Sequence, residues 1–463
     1  MICSKENAKD AIFYSYTRHI NGFAAILDEE VALAISNSPG VISVFENKKY
    51  ELHTTRSWQF LGLERDGDIP QELWEKAKFG EDVIIGNIDS GVWPESESFR
   101  DEDMGPIPSR WKGICQKEND AKFSCNRKLI GTRSFFKGFE SYFGNLSSNL
   151  RTPRDTDGHG THTLSTAGGS PVHGANVLGF GNGTAKGGSP RARVASYKAC
   201  WSYKDYDSFC FDADILAAFD AAIYDGVDVL SVSLGGYSTS YFDDGIAIGA
   251  FHAILNGISV VASAGNSGPD LGTVKNVAPW LLTVGASTID RDFPAYVIFG
   301  KHKLKGQSLS DASLQRNEML PLIRSRDAAA ANASYEDANV CLMGSLDATK
   351  VRGKIVVCVR GWNYETDKSV AVKLVGGKGM VLVNSLTDGN DIFADLHVLP
   401  ATHISDSDAL KLFSYLNSTK SPMGTISYPI TMQGTKPAPL MAPFSSHTLS
   451  LLKSSSLTSL PLE

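Results

Sequence analysis

Asp82-Val83-Ile84-Ile85-Gly86-Asn87-Ile88 is a short, mainly apolar run that stops at Asp89-Ser90-Gly91. Such a run, without polar alternation, reads as a strand buried on both faces. Four more follow it at Val194–Lys198, Val227–Val232, Ile258–Ala262 and Leu281–Val284. Helical patterns at Asp214–Tyr224 and Asp243–Leu255 fall between them. Buried strands alternating with helices predict an α/β fold around a parallel sheet. In such sheets function gathers at the carboxyl ends of the strands. The polar residues that follow each run are therefore the informative ones.

Upstream, residues 10 to 53 predict a small α/β unit. It comprises a strand at Ala11–Tyr16, a helix at Leu27–Ser38 closed by Pro39-Gly40, and a strand at Val41–Phe45. So few residues make a thin core. A polar linker follows at Leu63–Ile69. Downstream, residues 318–430 change texture. Val351–Val359 and Gly379–Val383 read as strands among Gly, Asn and Asp turns, predicting a β-rich module with little long helix. Ser445 to Glu463 is rich in Ser and Leu and has no regular period.

The 463 residues suit about three domains. With 42% hydrophobic and 21% charged residues, the composition is that of a globular protein and excludes disordered, collagen-like and coiled-coil chains. No apolar run reaches the roughly 18 residues of a membrane span. A net charge of −7 gives no electrostatic reason to expect nucleic acid as a partner. Seven cysteines include no C-x-x-C pair, which argues against zinc ribbons and thioredoxin motifs. Six of them, Cys115, Cys125, Cys200, Cys210, Cys341 and Cys358, fall into neighbouring couples, either short disulfide loops or buried thiols. N-x-S/T sequons at Asn145, Asn182, Asn332 and Asn417 suit a secreted chain, yet Met1–Lys5 leads into a polar stretch without a signal-peptide core.

Three motifs carry the chemistry. Asp89 ends the first strand and precedes a Gly turn, which it could simply shape. Asp155-Thr156-Asp157-Gly158-His159-Gly160-Thr161-His162-Thr163 frames a histidine with glycines at the start of a small-residue helix. Two histidines three apart could ligate a metal, but no H-E-x-x-H is present. Ser263-Ala264-Gly265-Asn266-Ser267-Gly268-Pro269 follows the fourth strand. Asn266 could be a turn former, or could aim its amide at a developing oxyanion.

Taken together in this order, the motifs resemble those of subtilisin-like serine proteases (peptidase S8 type), and most closely plant subtilases. Tyr14-Ser15-Tyr16, Asn21–Ala25 and Leu52–Trp58 resemble the end of an inhibitory I9 propeptide and the start of the mature enzyme, with processing near His53–Thr54. Gly353–Cys358 resembles the protease-associated (PA) domain of that family. The implied domains are 1–53, a propeptide truncated at its start; 54–317, the first part of the peptidase; 318–430, the PA domain; 431–446, a return to the peptidase; and 447–463, an out-of-frame disordered tail. The resemblance implies that Asp89 orients the imidazole, His159 is general base then acid, and Asn266 is the oxyanion donor. Ser233-Leu234-Gly235 would pair with substrate backbone, and Ser263-Ala264-Gly265 would line the S1 pocket. It favours the disulfides Cys115–Cys125, Cys200–Cys210 and Cys341–Cys358, leaving Cys3 free. It implies peptide or protein substrates, the propeptide as intramolecular inhibitor, an extracellular location, and no metal or cofactor.

The family's nucleophile sits in Gly-Thr-Ser-Met. None of the Gly-Thr pairs, at Gly131, Gly160, Gly183, Gly272, Gly424 and Gly434, is followed by Ser, and no G-x-S-x-G elbow occurs. Met441–Ser446 resembles the lead-in to that region. Read one base earlier, with allowed codons, the tail after it becomes His-Thr-Leu-Thr-Pro-Glu-Ile-Leu-Lys-Pro-Asp-Ile-Thr-Ala-Pro-Gly, which resembles the family's next segment. The expectation is a frame-shifted tail, an inactive chain, exposed apolar sheet surface and an uncleaved propeptide. The alternative is a non-catalytic product that binds or inhibits through its propeptide-like or PA domain. A nucleotide-binding protein fits poorly, because Gly179–Gly183 lacks G-x-G-x-x-G spacing.

Overall fold

The computed structural model describes residues 11–16, 22–25, 27–41, 44, 56–63, 74, 76–118, 120–148, 150–202, 208–236, 240–316, 318–448 and 457–459. The chain divides into two compact units, 1–51 and 52–463. In the first, β1 (Ile12–Tyr16) pairs antiparallel with β2 (Gly22–Ala25), and α1 spans Glu29–Ser36. Most of the expected Val41–Phe45 strand, nearly all of the Leu63–Ile69 linker, Cys3 and His53–Thr54 lie outside the described residues.

The second unit is built on a seven-stranded, all-parallel sheet. In chain order its elements are β3 (Ile84–Asp89), β4 (Leu129–Ser134), α2 (His159–Gly168), β5 (Arg193–Lys198), α3 (Asp212–Asp225), β6 (Val229–Val232), α4 (Gly245–Leu255), β7 (Ser259–Ser263) and β8 (Leu282–Val284). β3 lies centrally, between β5 and β6. It is buried at every position, as a central parallel strand requires. Helix starts and stops follow local chemistry. Asp244 caps α4 by accepting from the amides of Ile246 and Ala247, and Gly226 ends α3 in the left-handed region. Ile84, Ile88, Leu230, Val260, Ala218 and Ala250 share one buried core between the sheet and α3 and α4.

The β-rich module is larger than the sequence reading placed it. It is a closed barrel of β9 (Pro294–Phe299), β10 (His302–Gln307), β11 (Leu320–Arg324), β12 (Ile355–Val359), β13 (Gly379–Val383), β14 (Ala401–Ile404) and β15 (Met423–Ile426). Its first hairpin therefore precedes residue 318, in a stretch assigned to the peptidase. That hairpin closes the barrel, because β9 pairs with β15 and β10 with β14. Two expectations inside the module are corrected. The strand begins at Ile355, since Ala348–Val351 is a helical turn capped by Asp347. Long helix is also present: α5 (Glu365–Leu374) and α6 (Asp406–Ser418) cover the barrel. In the tail, where no regular structure was expected, β16 (Leu457–Ser459) lies parallel to β8 at the sheet edge.

Cys115–Cys125, Cys200–Cys210 and Cys341–Cys358 are disulfide-bonded. Asn145, Asn182, Asn332 and Asn417 are exposed. Among the described residues no helix is long and apolar enough to cross a membrane.

Candidate active site

The carboxyl end of β3 delivers Asp89, which is 1% exposed. The chain then turns at Gly91, whose φ is +115°. Any side chain there would meet the Pro153 carbonyl 2.5 Å from its Cβ. Gly160 is required for the same reason from the other side. A Cβ on it would lie 2.4 Å from the Gly91 carbonyl oxygen. Two glycines thus let the first turn of α2 lie directly on the β3 turn, and His159 opens that helix.

The close approach brings Asp89 and His159 into contact. His159 Nδ1 lies 2.7 Å from Asp89 Oδ1. Asp89 Oδ1 also accepts from the Ser90 amide at 2.7 Å, and Oδ2 accepts from the Thr163 hydroxyl at 3.0 Å. Thr163 in turn accepts from Asn87 Nδ2 at 3.0 Å. The carboxylate is thereby fixed in the orientation that meets Nδ1–H. This assigns the neutral imidazole a protonated Nδ1 and a free lone pair on Nε2. The His159 side chain is half-exposed, and among the described residues no hydrogen bond occupies its Nε2. The hydrogen bond with Asp89 raises the imidazole pKa and burial opposes it. The charges of Asp89, Asp157 and Asp155 add to the rise.

Asp155 secures the turn that carries His159. Its Oδ1 accepts from the amides of Asp157 and Gly158 and from the Ser90 hydroxyl, and its Oδ2 accepts from the Thr161 amide and hydroxyl. Burial works to raise its pKa, but these bonds outweigh burial and hold it below the usual carboxylate range. A fixed anion at the start of α2 also meets the positive end of the helix dipole. Ser90 closes the circuit, since its hydroxyl accepts from the Gly160 amide at 2.8 Å.

The segments after β6 and β7 are brought side by side. Asn276 Nδ2 donates to the carbonyls of Leu234 at 2.7 Å and Ser263 at 2.9 Å, bridging Ser233–Gly235 to Ser263–Gly265. Ala264 is buried, and its carbonyl accepts from the Lys275 amide. Asn266 is exposed in the turn beyond. Among the described residues it makes no hydrogen bond to Asp89 or His159. Ser446 grips both of its neighbours: its amide donates to the Gly265 carbonyl at 2.8 Å, and its hydroxyl accepts from the Ser267 amide at 3.1 Å.

Sequence reasoning quoted Ser90, Asp155, Thr163 and Ser446 inside motifs but gave them no role, and it passed over Asn276. Among the described residues no group of three or more His, Cys, Asp or Glu is arranged to hold a metal.

An aspartate at a central strand end, bound to a histidine that opens a helix, on a parallel sheet, defines a subtilisin-like α/β protein. The family comparison agrees. The subtilase family model matches residues 80–456, and the peptidase inhibitor I9 model matches residues 2–53. The chain belongs to the subtilase family and carries an I9 inhibitor domain. It is 58% identical over 445 residues to subtilisin-like protease SBT5.3 of Arabidopsis thaliana, covering 96% of this chain and 58% of that one. It is 57% identical over 447 residues to SBT5.4 of the same plant, covering 96% and 57%. The chain thus spans under two thirds of the length of these relatives. Among solved structures, the psychrophilic subtilisin-like protease Apa1 from an Antarctic Pseudoalteromonas aligns at a TM-score of 0.33 and 14% identity, covering 79% of this chain and 80% of that one.

Proposed function

We propose that this chain holds the acid–base pair, oxyanion donor and substrate-binding strands of a secreted plant serine endopeptidase, without its nucleophile. The observation that carries this reading is the 2.7 Å contact between His159 Nδ1 and Asp89 Oδ1, buttressed by Thr163. In the proposed reaction, substrate backbone lies between Ser233-Leu234-Gly235 and the Ser263-Ala264-Gly265 wall of the S1 pocket. His159 Nε2 takes the proton of an attacking serine hydroxyl, and Asp89 stabilises the imidazolium that forms. The Asn266 amide donates to the oxyanion of the tetrahedral intermediate. The imidazolium then protonates the leaving amine. The barrel corresponds to the protease-associated domain. The disulfides and exposed sequons suit the apoplast.

No Gly-Thr-Ser occurs in these 463 residues. Without the serine only about 10³–10⁴ of rate enhancement survives in such a site. The chain, secreted from a heterologous host, is expected to cleave peptide nitroanilides no faster than its Asp89→Asn variant. Turnover that His159→Ala abolishes would overturn the inactivity. The source transcript, read through its 3′ end, is expected to continue the shifted frame after Ser446 to a Gly-Thr-Ser-Met. A message that stops in frame at Glu463 sinks the frame-shift reading. The I9 match favours a second reading, an inhibitor of related subtilases. It predicts slow, tight inhibition when the chain is added to an active subtilase, and no inhibition from residues 54–463 alone.

A further inference from the structure

The barrel contains a cavity of about 330 Å³ far in sequence from the Asp89–His159 pair. Its polar lining is Arg324 at the end of β11, Arg326 just beyond it, Asn339, and Asn417 on α6. Its apolar lining is Val357 and Val359 of β12, with Phe413 of α6. Arg324 is held in place. Its Nη2 donates to the Phe413 carbonyl at 3.0 Å and to Asn417 Oδ1 at 2.6 Å, and its guanidinium lies over the Phe413 ring. Its Nε and Nη1 make no hydrogen bond among the described residues. Arg326 Nε is buried and has no hydrogen-bond partner. Among the described residues the one carboxylate paired with it, Asp327, stands at 4.0 Å and is largely exposed, and the Arg326 guanidinium lies over the Tyr335 ring at 5.6 Å. Burial, and then the Arg326 charge, pull Arg324 below its ordinary pKa, and the Asp327 charge only partly offsets them.

Two guanidinium groups with spare donors line one concavity, and among the described residues that line it there is no carboxylate. A buried donor left without an acceptor carries its full desolvation cost, and an arriving oxyanion recovers it. Guanidinium donors match a planar, bidentate carboxylate. The apolar lining calls for a ligand whose carboxylate is joined to a hydrophobic body. A volume near the small end of ligand pockets, about 300 Å³, admits roughly two amino-acid residues.

We propose that this cavity is a peptide-binding site that takes a carboxylate, a chain terminus or an acidic side chain, on Arg324 and Arg326 and an adjoining apolar side chain on Val357, Val359 and Phe413. It would let the barrel hold a protein partner or cleavage product independently of the peptidase site, so a chain that cleaves nothing still binds.

The test is calorimetric titration of the full chain carrying Thr419→Ala, which removes the Asn417 sequon and leaves Asn417 itself. The probes are N-acetyl-Leu-Leu as free acid, the same dipeptide as its amide, N-acetyl-Leu-Asp-amide, and inorganic sulfate. The acid, the aspartyl amide or both are expected to bind at least about tenfold more tightly than the Leu-Leu amide. Which of the two binds separates a chain terminus from a side chain. Arg326→Gln is expected to lose about tenfold in affinity at unchanged melting temperature, because Arg326, unlike Arg324, anchors no carbonyl. Equal binding of acid and amide overturns the proposal. So does binding of sulfate alone, or an Arg326→Gln variant that binds as well as its parent.

Discussion

The sheet site and the barrel of the second unit hold their buried ionisable groups differently. At the end of β3 the acid–base pair has its partners, although Asn87 Oδ1 is buried without one. Asn87 supports Thr163, Thr163 and Ser90 support Asp89, and Asp89 holds His159. In the barrel, His397 is 2% exposed with neither ring nitrogen bonded, and Asp395 Oδ2 is buried and unpartnered. The sheet site is therefore set by backbone fit, whereas the barrel remains sensitive to protons and anions.

The comparison is tested most strongly at Gly91. An alanine there needs a strained φ and pushes Cβ against the Pro153 carbonyl. Strain of about 1–2 kcal/mol and overpacking of about 1–3 kcal/mol combine. Gly91→Ala is expected to lower stability by roughly 2–5 kcal/mol in urea unfolding and to shift the His159 imidazole resonances. A variant with parental stability and an unmoved His159 would show that backbone fit does not set the site.

Acid should break the barrel by a smaller amount. Burial depresses His397 to about 4 and His403 to about 3, and it raises Asp395 to about 6. Unfolded histidine titrates near 6.5, so the two histidines contribute stability above that pH and lose it as pH falls toward 4. Asp395 has the opposite sign, since its protonated form is favoured in the fold and stability rises as pH falls from 6 toward 4. The two histidines outweigh the one carboxyl, leaving a net loss on the order of 3 kcal/mol between pH 6.5 and 4. Fluorescence-monitored unfolding across that range checks it. His397→Leu should flatten the profile, and a flat parental profile would sink the assignment.

These differences explain what the sequence could reveal. The parallel sheet was legible because each strand is a contiguous apolar run, and Asp89, His159 and Asn266 lie at strand or helix ends where the pattern directs attention. The supporting groups were not, because their bonds span the chain. Thr163 reaches Asp89 across 74 residues, Asn276 reaches Leu234 across 42, and Ser446 reaches Ser267 across 179. Spacing within a motif carries no information about such partners. The barrel's first edge was missed for a related reason. In β10, Lys303 and Lys305 alternate with Leu304 and Gly306, the pattern of a half-exposed strand, and only closure against β14 assigns it to the barrel.

Smaller effects sharpen the account of His159. Its raised pKa rests first on the Asp89 hydrogen bond. Asp89→Asn is expected to lower it, because the amide keeps an acceptor but loses the charge. Thr163→Val should lower stability by about 1 kcal/mol. It should move the imidazole pKa less than Asp89→Asn does, since it frees the carboxylate without removing it. Titration by NMR separates the two. An equal or larger shift in Thr163→Val would mean that the orientation of the carboxylate, rather than its charge, governs the base.

The smallest expected effect is at Ser446, and it isolates the turn that presents Asn266. Ser446→Ala deletes the hydroxyl that accepts from the Ser267 amide but leaves the backbone bond from its own amide to the Gly265 carbonyl. Half of the grip survives, so global stability should fall by only about 1 kcal/mol. The local effect should be larger in proportion. Hydrogen exchange at the Ser267 amide is expected to accelerate while the Ser446 amide stays protected, loosening Asn266 on one side only. Ser445→Ala supplies the contrast, because that hydroxyl accepts from Ala286, away from the turn. It should cost similar stability and leave Ser267 exchange unchanged. If both variants loosen Ser267 equally, the segment 441–447 acts as a single wedge under the turn, and Ser446 has no separate part in holding Asn266.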